Sequence, residues 1–176
     1  MNYDSNLLVE GSIYDVDDAP KYKLGKTVTT DDGKTFAYVK ATAALTAGTA
    51  YKVASLTLTT VAQNGADSIT ITATSPTIIT NTKGDDVNGA LVKVVDTNSN
   101  LKGIYAIEGA SDNGTAIFAP LKGVVASDTI TGINSNTPAF CGGATSSGKA
   151  QGTPLVAIAS GKYGWVLLLN PDAVSA

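Results

Sequence analysis

The pattern of apolar and polar positions changes character at Leu24. Before it, isolated apolar side chains (Leu7, Leu8, Val9, Ile13, Tyr14) mix with the acids Asp15, Asp17 and Asp18 up to Pro20, with no sustained period of either kind. After it, short β-branched or aromatic runs follow one another. Lys26-Thr27-Val28-Thr29-Thr30 and Thr35-Phe36-Ala37-Tyr38-Val39-Lys40 flank Asp31-Asp32-Gly33, which reads as a hairpin with a glycine turn. Phe36, Tyr38 and Lys40 alternate with Ala37, Val39 and Ala41, so period-2 geometry assigns them to opposite faces. Ala43 to Gly48 reads as a small-residue bend, followed by a strand over Ala50 to Ala54.

Further strands are predicted over 56–61, 68–74, 77–80, 90–96, 103–108, 115–119, 129–133, 155–159 and 164–169. Turn chemistry separates them: Asn64-Gly65, Gly84-Asp85-Asp86, Asn88-Gly89, Asp112-Asn113-Gly114 and Gly142-Gly143. No window carries a sustained 3.6-residue apolar period, and no internal repeat is visible. Short strands at close spacing predict an all-β protein: one β-sandwich or barrel-like domain, jelly-roll or tulip-like, over 24–176, preceded by an extended N-terminal arm over 1–23. The Ser/Thr/Gly-rich stretch 136–152 reads as an exposed loop.

Composition narrows the function classes. The chain of 176 residues has no histidine, 12 cations that are all lysines, and a formal charge of −3. Without histidine a Ser-His-Asp or Cys-His site cannot be built. Scattered lysines give no basic face for phosphates, so no nucleic-acid partner is expected. The single cysteine, Cys141, excludes an intrachain disulfide, and no cation adjoins it in sequence to lower its pKa. No apolar run, Val166 to Leu169 included, is long enough to span a bilayer, so no membrane partner is expected. The first residues lack a basic, then apolar, secretory pattern, and synthesis in a reducing cytoplasm is the expectation.

Two motifs are weighed and set aside. Gly143-Ala144-Thr145-Ser146-Ser147-Gly148-Lys149 has the glycine and lysine spacing of a phosphate-binding loop. Ala150 lacks the hydroxyl that would hold Mg²⁺, and Gly152 and Pro154 oppose the required helix. The pairs Asp31/Asp32 and Asp85/Asp86, with Asp15, Asp17 and Asp18, could offer hard oxygens to Ca²⁺, but none continues into a closing glutamate. Neither a cofactor nor a metal site is expected. A pair of carboxylates as in glycosidases would need aromatic platforms, and one Trp with three Phe supplies few.

The run from Lys23 to Ala41, with Ala44-Leu45-Thr46-Ala47-Gly48 after it, resembles the opening of small structural proteins of tailed-bacteriophage heads. Ile158-Ala159-Ser160-Gly161-Lys162-Tyr163-Gly164-Trp165-Val166 is similar to their closing strand. The resemblance implies a capsid decoration, or cement, protein. Such a protein is not an enzyme. It sits on the outer surface of the virion shell, often as a homotrimer, and ties major capsid protein subunits together. On that reading Leu7, Leu8, Val9, Ile13 and Tyr14 are the expected contacts with the shell or a neighbouring copy, while Tyr163 and Trp165 are expected in the core. The alternative is a head-fibre or adhesin-type module binding a host-surface glycan or receptor, with 135–152 as its tip.

Overall fold

A computed structural model describes residues 11–55, 61–63, 68–71, 84–112, 117–120, 127–132, 138–145 and 150–170. In chain order the strands are β1 (Val16–Asp17), β2 (Thr27–Thr29), β3 (Thr35–Ala41), β4 (Tyr51–Ser55), β5 (Val61–Gln63), β6 (Ser68–Ile71), β7 (Leu91–Val95), β8 (Leu101–Ala106), β9 (Ser111–Asp112), β10 (Ile117–Pro120), β11 (Thr129–Gly132), β12 (Pro138–Cys141), β13 (Gln151–Pro154) and β14 (Tyr163–Leu169). The fold is nearly all-β. One helical turn, α1 (Gly84–Val87), precedes β7. The chain divides into two compact units, 1–55 with 136–176 and the inserted 56–135, which differs from the single domain expected from residue 24 onwards.

The first unit is built round a closed five-stranded barrel in the order β3, β14, β13, β4, β12 and back to β3, with β1 and β2 as additional strands. All barrel pairings are antiparallel except β12 with β3, which sets Phe140 beside Lys40 and Cys141 beside Ala41. Closure removes free edges from these strands. It also explains why the seven residues of β3 are so thoroughly buried: Phe36 through Ala41 are all inaccessible although the alternation is strict.

The inward side is made of small residues because five strands enclose little volume. Ala37, Val39, Ala41, Val53, Cys141, Ala150, Val166 and Leu168 fill it, with Leu45 and Ile158 from a bridge between two loops. Each inward valine removed from water contributes roughly 1.5–3 kcal/mol of transfer free energy. The outward side of β3 and β14 carries Phe36, Tyr38 and Lys40 against Leu167, Trp165 and Tyr163. The predicted hairpin joins β2 to β3. At its turn Thr30 donates its N–H to the Lys34 carbonyl at 2.8 Å and Gly33 takes φ 79°, a conformation glycine reaches without penalty.

The 136–152 stretch, expected to be an exposed loop, contains strand β12 and the start of β13. Ala139, Phe140, Cys141 and Ala150 are buried. The correction has a clear cause: barrel closure needs a partner between β3 and β4, and the apolar Ala139-Phe140-Cys141 supplies it despite its polar surroundings. The described exposed part of the stretch is Gly143 to Thr145.

The inserted unit holds two small sheets, β5-β6-β10-β9 and β11-β7-β8. Val92 and Val94 of β7 are buried together with Val87, Ala90 and Ile107. The opposite face of β7 and β8 is exposed at Leu91, Leu101 and Ile104.

Candidate docking surfaces

Residues 11–22 form a strap over the outward side of β3 and β14. Its start is fixed locally: Ser12 donates its N–H to the Asp15 carboxylate at 2.9 Å, and Asp15 returns its own N–H to the Ser12 carbonyl at 3.0 Å. Strand geometry then turns alternate side chains up and down. Val16, 41% exposed, faces out while Asp17, 6% exposed, faces the barrel opposite Tyr163.

Burying a carboxylate is costly unless it is paired. Asp17 receives the Tyr38 hydroxyl at 2.7 Å and the Lys21 ammonium at 2.6 Å. The same Tyr38 oxygen accepts the Lys21 N–H at 3.2 Å. Burial, followed by the neighbouring Asp17 carboxylate, pushes the Tyr38 hydroxyl far above the ordinary tyrosine value, and it stays protonated. Lys162 ties Asp18 at 2.8 Å, and that bond holds the exposed Asp18 carboxyl below its ordinary range.

Aromatic rings fill the space beneath the strap. Tyr22 meets Tyr38 edge-on with centroids 5.1 Å apart, and Trp165 lies 5.2 Å from Tyr38 and 5.6 Å from Tyr22. Lys26 sits 4.8 Å over the Tyr22 ring and Lys40 lies 5.5 Å over that of Tyr163. Such pairs favour a fixed ring geometry beyond their area burial. Tyr163 and Trp165, expected in the core, are each 2% exposed; they are covered by the strap on the outer side of the barrel.

The expected contact residues therefore separate. Leu7, Leu8 and Val9 lie outside the described residues. Ile13, 4% exposed, is buried within its own unit, whereas Tyr14 at 48% remains available to a partner. Val16 joins it, and the alternation with buried Asp17 is the signal that could have found it. Cys141 is 1% exposed, and burial pushes its thiol up to about 12, so it carries no thiolate at neutral pH. After the glycine-rich 142–149 comes strand β13, with no helix to face an anion.

The inserted unit presents a second apolar surface that sequence reasoning missed. Leu91 on β7 and Leu101 and Ile104 on β8 are 36%, 58% and 57% exposed. Lys93 shares their face, since it pairs with Ile104 in register. Lys102 reaches the otherwise buried Asp128 carboxylate at 2.7 Å. In the run Leu91-Val92-Lys93-Val94-Val95 alternation sets Lys93 with Leu91 on one face and Val92 with Val94 on the other, so Lys93 was the signal that marked the exposed face. Among the described residues no group of three or more metal-ligating acids or cysteines gathers. Compared with known family models, curated proteins and solved structures, the chain matches none.

Proposed function

We propose that this chain is a structural virion protein that binds the outer surface of a phage capsid and stabilises contacts between major capsid subunits. One observation supports the reading above the others. The two runs that resemble phage-head proteins, Lys23 to Ala41 and Ile158 to Val166, form hydrogen-bonded neighbours, β3 and β14, with Tyr38 opposite Trp165. Two distant stretches thus make one structural unit, as expected if they were retained together. Tyr14 and Val16 on the strap and Leu101 and Ile104 on β8 offer apolar contact area.

The mechanism is mass action. A protein that binds only the assembled lattice stabilises it according to its occupancy, and several copies convert weak contacts into avidity. No reacting group is called for. The test mixes the purified chain with expanded capsids that lack it, and measures co-sedimentation and the temperature of DNA escape. Saturable binding at a fixed ratio to shell subunits, with a raised escape temperature, is the expected result. Failure to bind any shell sinks the proposal and turns the search toward glycans and cell surfaces.

A further inference from the structure

Four aromatic rings meet on the outer side of the barrel, and one of them, Tyr38, is joined to a buried carboxylate. Trp165, the chain's single tryptophan, has its ring centroid 5.2 Å from that of Tyr38 and 5.6 Å from that of Tyr22. Tyr163 lies nearly parallel to Tyr38, 6.4 Å away. Rings at these separations are in contact. Tyr38 is wholly buried, yet its hydroxyl donates to Asp17 Oδ2 at 2.7 Å, a distance at which a carboxylate takes a proton directly. The Lys21 ammonium occupies the other oxygen, Oδ1, at 2.6 Å, so the two contacts do not compete. The Lys21 backbone N–H meets the Tyr38 oxygen at 3.2 Å. Positive charge is opposed on the neighbouring rings, because Lys26 sits over Tyr22 at 4.8 Å and Lys40 over Tyr163 at 5.5 Å.

We infer that Tyr38 and Asp17 together form a one-electron oxidation site, at which a hole created on Trp165 comes to rest. A one-electron oxidant removes an electron from the Trp165 indole. Tyr38 then gives an electron to the indole, which is restored, and the phenolic proton moves along the 2.7 Å hydrogen bond to Asp17 Oδ2. The products are a neutral tyrosyl radical and a protonated carboxyl group, so electrons, protons and charge balance. A phenol that has lost an electron is a strong acid, so even a lysine-paired carboxylate accepts its proton. Without such a base the step would leave a cation in a wholly buried ring, which is costly. The Lys21 N–H remains to hydrogen-bond the phenoxyl oxygen. Ring packing alone would be served by a phenylalanine; the buried hydroxyl and carboxylate are what add the chemistry. Because Tyr38 is inaccessible, its radical is kept from coupling with one on another molecule, and the indole is spared oxygen addition. This activity is independent of the capsid reading.

The test is laser flash photolysis of the full chain at the red edge of the indole band, where tyrosine does not absorb. The ejected electron is captured by nitrous oxide, and tert-butanol removes the hydroxyl radical that forms. Because Trp165 is the single tryptophan, the hole starts at one place. The expected record is decay of the indolyl absorption matched by growth of the phenoxyl absorption. Its rate is independent of protein concentration and falls when the chain is fully exchanged into heavy water. Tyr38→Phe abolishes this phase. Asp17→Asn, which keeps a hydrogen-bond acceptor but not a base, slows it by about tenfold or more. Tyr22→Phe and Tyr163→Phe leave its rate unchanged, and circular dichroism checks that each variant is folded. An indolyl radical that decays with no phenoxyl growth overturns the proposal. So does a phenoxyl phase that survives Tyr38→Phe or disappears with Tyr22→Phe or Tyr163→Phe. Should a variant fail to fold, the unaltered chain decides alone: transfer that is indifferent to heavy water overturns the role of the Asp17 proton contact.

Discussion

Glycine interrupts a strand in each unit, and the two positions answer to different physics. Gly152 in β13 points into the closed barrel, where an added Cβ would come within 2.6 Å of Val53 Cγ2 and 2.7 Å of Val166 Cγ2. Those methyls belong to stiff, β-branched side chains that have nowhere to go. Gly103 in β8 lies in the open sheet, where the Cβ would meet the Tyr105 ring at 2.8 Å, a far end that can swing aside. A closed barrel transmits every added atom to its core; an open sheet absorbs it at the edge.

The sharpest contrast comes from truncation. Trp165→Ala removes a ring buried among Tyr22 and Tyr38 and is expected to cost about 3–5 kcal/mol, read from the urea midpoint. Ile104→Ala, on the exposed face of β8, is expected to stay within about 0.5 kcal/mol. Equal losses at the two sites would break the comparison. Next come the glycines themselves. Gly152→Ala should destabilise by roughly 1–3 kcal/mol through overpacking. Gly103→Ala should be near neutral, because the relief of strand entropy, about 0.5–1 kcal/mol, offsets the displaced ring.

Tyr38→Phe sharpens the picture on the outer side of the barrel. It removes the hydroxyl that Asp17 receives at 2.7 Å and is expected to cost about 1–3 kcal/mol at neutral pH, since Asp17 stays buried. Because the folded Tyr38 pKa lies above the ordinary 10.0, its stabilisation is complete below pH 10.0 and is lost as pH rises toward the folded value. The phenylalanine variant should lack this alkaline loss of stability in pH-dependent melting curves.

The smallest effect is acidic. Lys34, with help from the Thr30 hydroxyl, lowers the Asp32 pKa from 3.8 to about 2, and Lys162 lowers that of Asp18. Depressed carboxyl values stabilise above the unfolded 3.8, and that support fades as pH falls toward about 2. Both groups are exposed, so the melting temperature should dip only slightly across this window, and less still in high salt. Lys34→Ala and Lys162→Ala together should flatten the dip.

Much of the fold was legible where period-2 alternation and turn chemistry agreed. The hairpin from Lys26 to Lys40, the run before Ala54 and the apolar end after Gly164 all correspond to barrel strands. Strand β13 was missed, and its predicted neighbour 155–159 was drawn too late, because Gly152 and Pro154 count against a strand in sequence. Here the glycine is required by lack of room and the proline ends the strand. Strand β12 was missed because four residues amid Ser, Asn and Gly carry no period. The discontinuous unit left no mark, since composition does not change at 55 or 136. At the docking surfaces, Tyr14 was visible as an isolated aromatic. Burial of Ile13 was not, because it depends on a turn held by Ser12 and Asp15. The exposed face of β8 was hidden because the register shift separates Leu101 from Ile104 by three residues and so breaks the alternation.

The pairing of β3 with β14 also fixes the order of events during synthesis. Tyr38 leaves the ribosome early, yet its register partner Trp165 emerges only after the whole inserted unit. Long-range pairings of this kind fold slowly, because loop-closure entropy must be met before any contact repays it. The inserted unit, whose strand pairings span shorter stretches of chain, can form first and shorten the effective loop. Phe36 and Tyr38 must wait, without their β14 neighbours, for that strand to arrive. The lone tryptophan lies on that strand, so its fluorescence reports the step that closes the barrel.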